Sequence, residues 1–101
     1  MLIMHPLYVI ILSYIRPIDE IDAHLAAHTE WLNKGYADGV FLASGRRIPR
    51  IGGIIIAKAA SLESLQERMC EDPFQRLGLS KTDILPFEPS RCVERFEALL
   101  A

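Results

Sequence analysis

The chain has 101 residues and a formal net charge of −2, with 50% hydrophobic and 24% charged residues. These values describe one globular domain with little room for a second, so residues 1–101 are read as a single unit, and a disordered polyelectrolyte is excluded. The small negative charge gives no general electrostatic reason to expect nucleic acid or an anionic membrane surface as partner.

A domain of this size buries only about two-thirds of the surface its unfolded chain exposes. Packing against a second copy relieves that limit, so a homodimer is expected. The apolar start, Met1 to Leu12, has no basic n-region and contains His5 and Pro6. It reads as a β-strand rather than a signal peptide. No apolar run approaches the ~20 residues of a membrane span, and a cytoplasmic location is expected. Cys70 and Cys92 form no CxxC and suggest no metal knuckle. Their spacing leaves a disulfide open, while a cytosolic compartment favours two reduced thiols.

Taken in order, Leu7 to Tyr14 is rich in β-branched and aromatic residues on both faces and predicts a central first strand. A helix is expected from Ile18 to Asp38. Pro17 sits near its first turn, where a missing N–H costs nothing, and Asp19 and Glu20 complement the macrodipole. Gly39 is the expected stop and Gly35 an internal breaker. At about 100° per residue, Ile21, Leu25, Leu32 and Tyr36 fall on one side, with His28 in the middle of the stripe. Asp22, Ala26, Glu30, Asn33 and Ala37 lie opposite. A histidine in the centre of an apolar face needs a partner.

Val40 to Ser44 predicts a second strand, Gly45 to Gly53 a loop, and Ile54 to Ala57 a third strand. Gly52 and Gly53 suggest a bulge or a close backbone approach. Ser61 is a plausible N-cap for a helix through Met69, with Leu62, Leu65 and Met69 at helical spacing. Pro73 biases Asp72 out of the helical region. A short turn follows, with Asp72 as cap, Pro73 at the first position and Gly78 as stop. Ile84 to Phe87 reads as a fourth strand, placed at an edge or bulge by Pro86. Arg91 to Leu100 predicts a terminal helix.

The order is β-α-β-β-α-β plus a C-terminal helix. It is the α+β class, with the ferredoxin-like split βαβ pattern of an antiparallel sheet covered by helices on one face. The other face must meet something apolar, and a second subunit is the simplest answer. Tyr8 and Tyr14 share one face of the first strand and are expected to point toward that partner. Trp31, Tyr36 and Phe41 are most simply core or interface residues.

Several polar residues carry possible chemistry. His24 and His28 stand at i, i+4, as two imidazoles on one metal would, but Leu-Ala-Ala lies between them. No glutamate base and no third ligand are evident, so no metal is expected. His24 is expected at the helix edge, lining the pocket as a ligand-binding residue. Arg46, Arg47 and Arg50 concentrate three guanidinium groups in a glycine-bearing loop. They suit a carboxylate or phosphate on a ligand, or else form a solvated loop. Ser44 and Gly45 follow a buried strand, and no GxSxG elbow surrounds the serine. Neither GxxxxGK[ST] nor GxGxxG is present, and no cofactor is expected. On the residues alone, the commoner reading is that His28 is a core histidine bonded to a backbone carbonyl and Asp72 merely a helix cap.

The sequence as a whole resembles the YciI-like (YCII-related) family. The resemblance is carried by His28, by Gly39-Val-Phe-Leu-Ala-Ser-Gly45, by Pro49-Arg50-x-Gly52-Gly53 and by Asp72-Pro73-Phe74. It covers Leu7 to about Pro89. It implies a dimeric α+β barrel of ferredoxin-like protomers in which His28 and Asp72 share a pocket. Where many relatives carry proline after the Ser-Gly or Ala-Gly pair, this chain has Arg46, which implies a different pocket rim.

Two functions follow. In the first, the chain is a small-molecule enzyme of lyase, isomerase or hydrolase type. His28 shuttles a proton, Asp72 orients it, and the segment from Ser44 to Arg50 holds an anionic or carbonyl-bearing ligand. In the second, it is a non-catalytic ligand-binding or dimerisation module.

Overall fold

The computed structural model describes residues 6–100. Met1 to His5, the start of the apolar N-terminus, lie outside the described residues. The elements in chain order are β1 (Leu7–Tyr14), α1 (Ile18–Ala23), α2 (Leu25–Ala37), β2 (Phe41–Arg46), β3 (Gly52–Lys58), α3 (Leu62–Met69), α4 (Pro73–Arg76), β4 (Ser80–Phe87) and α5 (Glu94–Leu100).

The four strands form one antiparallel sheet in the order β2-β3-β1-β4. The apolar strand β1 is central, as its two apolar faces require. β4 is an edge strand, and there Pro86, opposite Tyr8, removes no ladder bond the sheet depends on. Both strands that flank β1 are longer than the apolar pattern predicts. β3 begins at Gly52 and β4 at Ser80, because backbone pairing with β1 continues past the hydrophobic residues. Gly52 marks a close approach: a side chain there would collide with the carbonyl oxygen of Leu12 on β1. The bulge lies on β2, between Phe41 and Ala43.

Successive strand residues alternate faces, and the core shows which face the helices cover. Tyr8, Ile10 and Leu12 of β1 pack with Ile55 and Ala57 of β3, with Trp31 of α2 and with Leu65 and Met69 of α3. Tyr8 and Tyr14 therefore point to the helix side and not toward a partner across the other face. A second cluster joins Ile21 of α1 to Phe74 and Leu79. The opposite sheet face carries the alternate residues, among them Val9, Ile11, Ile54, Ile56, Leu85 and Phe87.

The expected single helix is two. His24, at φ −116° and ψ 11°, ends α1 and precedes α2. Nothing in Asp-Ala-His-Leu requires the break. It coincides with a change of target, since Ile21 enters the second cluster and Trp31 the first. The buried stripe is also rotated from its predicted centre. Its buried residues on α2 are His28, Trp31 and Gly35, while Tyr36 is exposed. Gly35 continues the helix, and the ring of Phe41 occupies the space a Cβ would fill.

The terminating residues behave as their types dictate. Gly39 and Gly78 adopt φ values of +75° and +68°, the left-handed conformation glycine accepts without Cβ strain. Ser61 caps α3 through a reciprocal pair of bonds with Ser64. The terminal helix is shorter than predicted, and Val93 lies outside it, 73% exposed. Both cysteines are free thiols. Among the described residues no helix is long and apolar enough to cross a membrane.

Candidate active site

Asp72 is placed by Pro73. The proline holds the aspartate in an extended conformation, φ −64° and ψ 123°, where its side chain turns back over the start of α4. Oδ1 accepts the backbone N–H of Phe74 at 3.0 Å. The same oxygen lies 2.7 Å from Nδ1 of His28, 44 positions away in sequence. Asp72 is fully buried, and Oδ2 has no partner among the described residues. With the carboxylate ionised, Oδ1 can only accept, so Nδ1 of a neutral His28 carries the ring proton and Nε2 is left with a lone pair.

The imidazole is clamped as well as hydrogen-bonded. Its ring stacks on Phe74 at a centroid distance of 4.0 Å and 6° between planes. Trp31 flanks it at 5.5 Å, and Tyr14 meets Phe74 edge-on at 6.0 Å. Trp31 is itself anchored, its Nε1 donating to the Arg68 carbonyl at 3.0 Å.

His28 forms part of the wall of a cavity of about 230 Å³. A cavity of about 150 Å³ accommodates benzene, so this one suits a ligand of single-ring size. Leu12, Leu25, Leu32, Ile55 and Phe74 give it an apolar interior; Tyr14, Thr29, Ser44 and Arg46 are the polar side chains that line it with His28. Gly45, Gly52 and Gly53 complete the lining. They lie where β2 and β3 pair, with Gly45 opposite Ile54 and Arg46 opposite Gly53.

Of the residues picked out by sequence, His28, Ser44, Gly45 and Arg46 line this cavity, with Asp72 directly behind His28. Arg50 and His24 do not line it. Arg50 donates from Nη2 to Asp22 on α1 at 2.6 Å. That bond raises the guanidinium above its usual value, against the opposing effect of burial, and the Tyr14 hydroxyl adds to it. The same bond lowers the Asp22 carboxyl, opposed by burial and assisted by the charge of Arg46. Arg50 thus ties the β2–β3 connection to α1. Arg47 donates to Ser13 at 3.0 Å. His24 is exposed at the helix break and lies outside the lining, although its neighbour Leu25 is part of it. Among the described residues, no group of three or more His, Cys, Asp or Glu side chains is arranged to hold a metal.

Sequence reasoning missed Tyr14, Thr29 and Phe74 as site residues. Phe74 had a signal, the aromatic of Asp-Pro-Phe. Tyr14 had none, because its face depends on which side of the sheet the helices cover.

Fold and cavity together define a compact α+β protein with a four-stranded antiparallel sheet and a histidine–aspartate pair at a small-molecule-sized site. The chain belongs to the YCII-related domain family, which residues 7–88 match. Among solved structures it is similar to 5-chloro-2-hydroxyhydroquinone dehydrochlorinase (TftG) from Burkholderia phenoliruptrix AC1100 in complex with 2,5-dihydroxybenzoquinone. The TM-score is 0.70 at 22% identity, over 80% of this chain and 92% of that one. No curated protein sequence gives a significant match.

Proposed function

We propose that this chain is a small-molecule enzyme in which His28, oriented by Asp72, transfers a proton on an anionic or carbonyl-bearing ligand. One observation carries the reading: the 2.7 Å bond between His28 Nδ1 and the buried Asp72 carboxylate at a cavity wall. An imidazole fixed in this tautomer offers Nε2 as a base, and the carboxylate stabilises the imidazolium that forms when it accepts a proton. Arg46 supplies the positive charge for the anion, and Ser44 with the backbone at Gly45 supplies polar contact.

Elimination, isomerisation and hydrolysis can each begin with such a proton transfer, so the reaction is placed in the lyase, isomerase or hydrolase group. The structural neighbour favours elimination on a hydroxylated ring, and its ligand is a suitable probe. The two hydroxyls of 2,5-dihydroxybenzoquinone are vinylogous acids, so at neutral pH the molecule is a planar anion of single-ring size. The protomer is taken as one half of a dimeric α+β barrel built on the ferredoxin-like split βαβ topology, the sheet faces meeting across the dimer.

The test is calorimetric titration with 2,5-dihydroxybenzoquinone, followed by a turnover screen of hydroxylated and halogenated quinols. Wild type binds the probe, Arg46→Ala weakens binding about tenfold, and His28→Asn removes turnover while the fold stays intact. Full turnover by His28→Asn would refute the assignment.

A further inference from the structure

We infer that Tyr36 is a positioning residue for the cavity, setting the direction of the Ser44 hydroxyl; this rests on the ligand site proposed above. Tyr36 lies on α2 two turns after His28, and its hydroxyl is 2.6 Å from Oγ of Ser44 on β2. Ser44 lines the cavity and Tyr36 does not. Tyr36 is 40% exposed, so its ring is not held there by burial alone. It is held by an edge-on contact with Phe41 at 6.1 Å, and Phe41 reaches that place because Gly35 leaves room for its ring.

The direction of this bond follows from the chemistry of the two hydroxyls. A phenol is the stronger acid and the better donor, and an aliphatic hydroxyl oxygen is the better acceptor. Tyr36 therefore donates to Ser44 Oγ. The serine proton is then free to turn away from Tyr36. Register places Ser44 beside Ile55, on the side of the sheet the helices cover and the cavity opens from. A hydroxyl that already accepts a hydrogen bond is a stronger donor in turn, because linked bonds polarise one another. The site then presents a base at His28, a cation at Arg46 and a directed donor at Ser44. That set suits a ligand carrying an ionisable hydroxyl near His28 and a carbonyl or phenolate oxygen near Ser44 and Arg46. A ring with a hydroxyl and an oxo group, the hydroxyquinone class, meets all three.

A double-mutant cycle separates this role from a simple clamp between α2 and β2. 2,5-Dihydroxybenzoquinone is titrated into wild type, Tyr36→Phe, Ser44→Ala and the double variant, with His28→Asn as reference. Melting temperatures verify folding, and Phe keeps the ring contact with Phe41. Ser44→Ala weakens binding about tenfold and Tyr36→Phe about fivefold. In the Ser44→Ala background, removing the Tyr36 hydroxyl has no further effect. Equal losses from Tyr36→Phe in both backgrounds, or none in either, overturn the inference and leave the His28 site standing. Absence of binding by wild type overturns the site and the inference with it.

Discussion

One oxygen of Asp72 serves two donors, the imidazole of His28 and the first turn of α4. Substitutions at this position therefore separate capping from chemistry. Asp72→Ala removes both bonds and is expected to cost about 2–3 kcal/mol in urea denaturation. Asp72→Asn keeps an acceptor for both, and asparagine is as good a cap as aspartate, so the expected loss is about 1 kcal/mol. The two variants also differ in the ring of His28. In wild type and Asp72→Asn, nitrogen NMR of the neutral imidazole should find the proton on Nδ1. In Asp72→Ala the more common Nε2 tautomer should return. Retention of the Nδ1 form in Asp72→Ala would mean that another group orients the ring. At this scale His28 was legible, because an imidazole centred on an apolar stripe announces a need for a partner. Asp72 was legible only as a cap. That it also meets His28 depends on a contact 44 positions long, which no local pattern encodes and only the family resemblance suggested.

At the scale of elements, the helix ends marked by a capping side chain, a proline or a glycine were readable, and the break inside the first helix was not. Ser61, Asp72, Pro73, Gly39 and Gly78 act through backbone chemistry confined to a few residues, so type and position suffice. The break at His24 and the rotated face of α2 depend on long-range packing, with Ile21 in one cluster and Trp31 in the other, which no local pattern encodes. Two glycines make this point testable. Gly35→Ala gains helix propensity but drives a methyl into the Phe41 ring, and a net loss of about 1–2 kcal/mol is expected. Gly45→Ala meets no atom within 4 Å and should change stability by less than about 0.5 kcal/mol. Thermal denaturation of both compares them directly. The connection from β2 to β3 is tied to α1 by Asp22 and Arg50, a pair that lowers the folded carboxyl's titration. The tie is therefore complete above the ordinary aspartate value of about 3.9 and is lost as pH falls through the lower folded value. Limited proteolysis between Arg47 and Ile51 should be slow at neutral pH and accelerate in strong acid. Asp22→Asn should show faster cleavage than wild type at neutral pH; cleavage equally slow in both would leave the tie without effect.

At the scale of the whole molecule, the strand alternation leaves an apolar sheet face that is half-buried in the protomer. Val9, Ile11, Ile54, Ile56, Leu85 and Phe87 share the side away from Trp31, Leu65 and Met69. Leu85 and Phe87 are 53% and 45% exposed, and both lie on the edge strand. Two apolar residues that open, on a face where their neighbours are also apolar, are what a second sheet packed about 10 Å away would cover. Leu85→Asp tests this without threatening the protomer. In an isolated chain the new carboxylate would stand in water beside Val9, and the stability change should stay within about 0.5 kcal/mol. In a sheet-on-sheet dimer the same carboxylate would be buried and repeated by symmetry on both subunits, with no partner for either charge. Analytical ultracentrifugation should therefore find wild type at twice the chain mass and Leu85→Asp at the chain mass, with unchanged circular dichroism. A wild type that sediments as a single chain at tens of micromolar, or a Leu85→Asp variant that stays paired, would place the contact elsewhere.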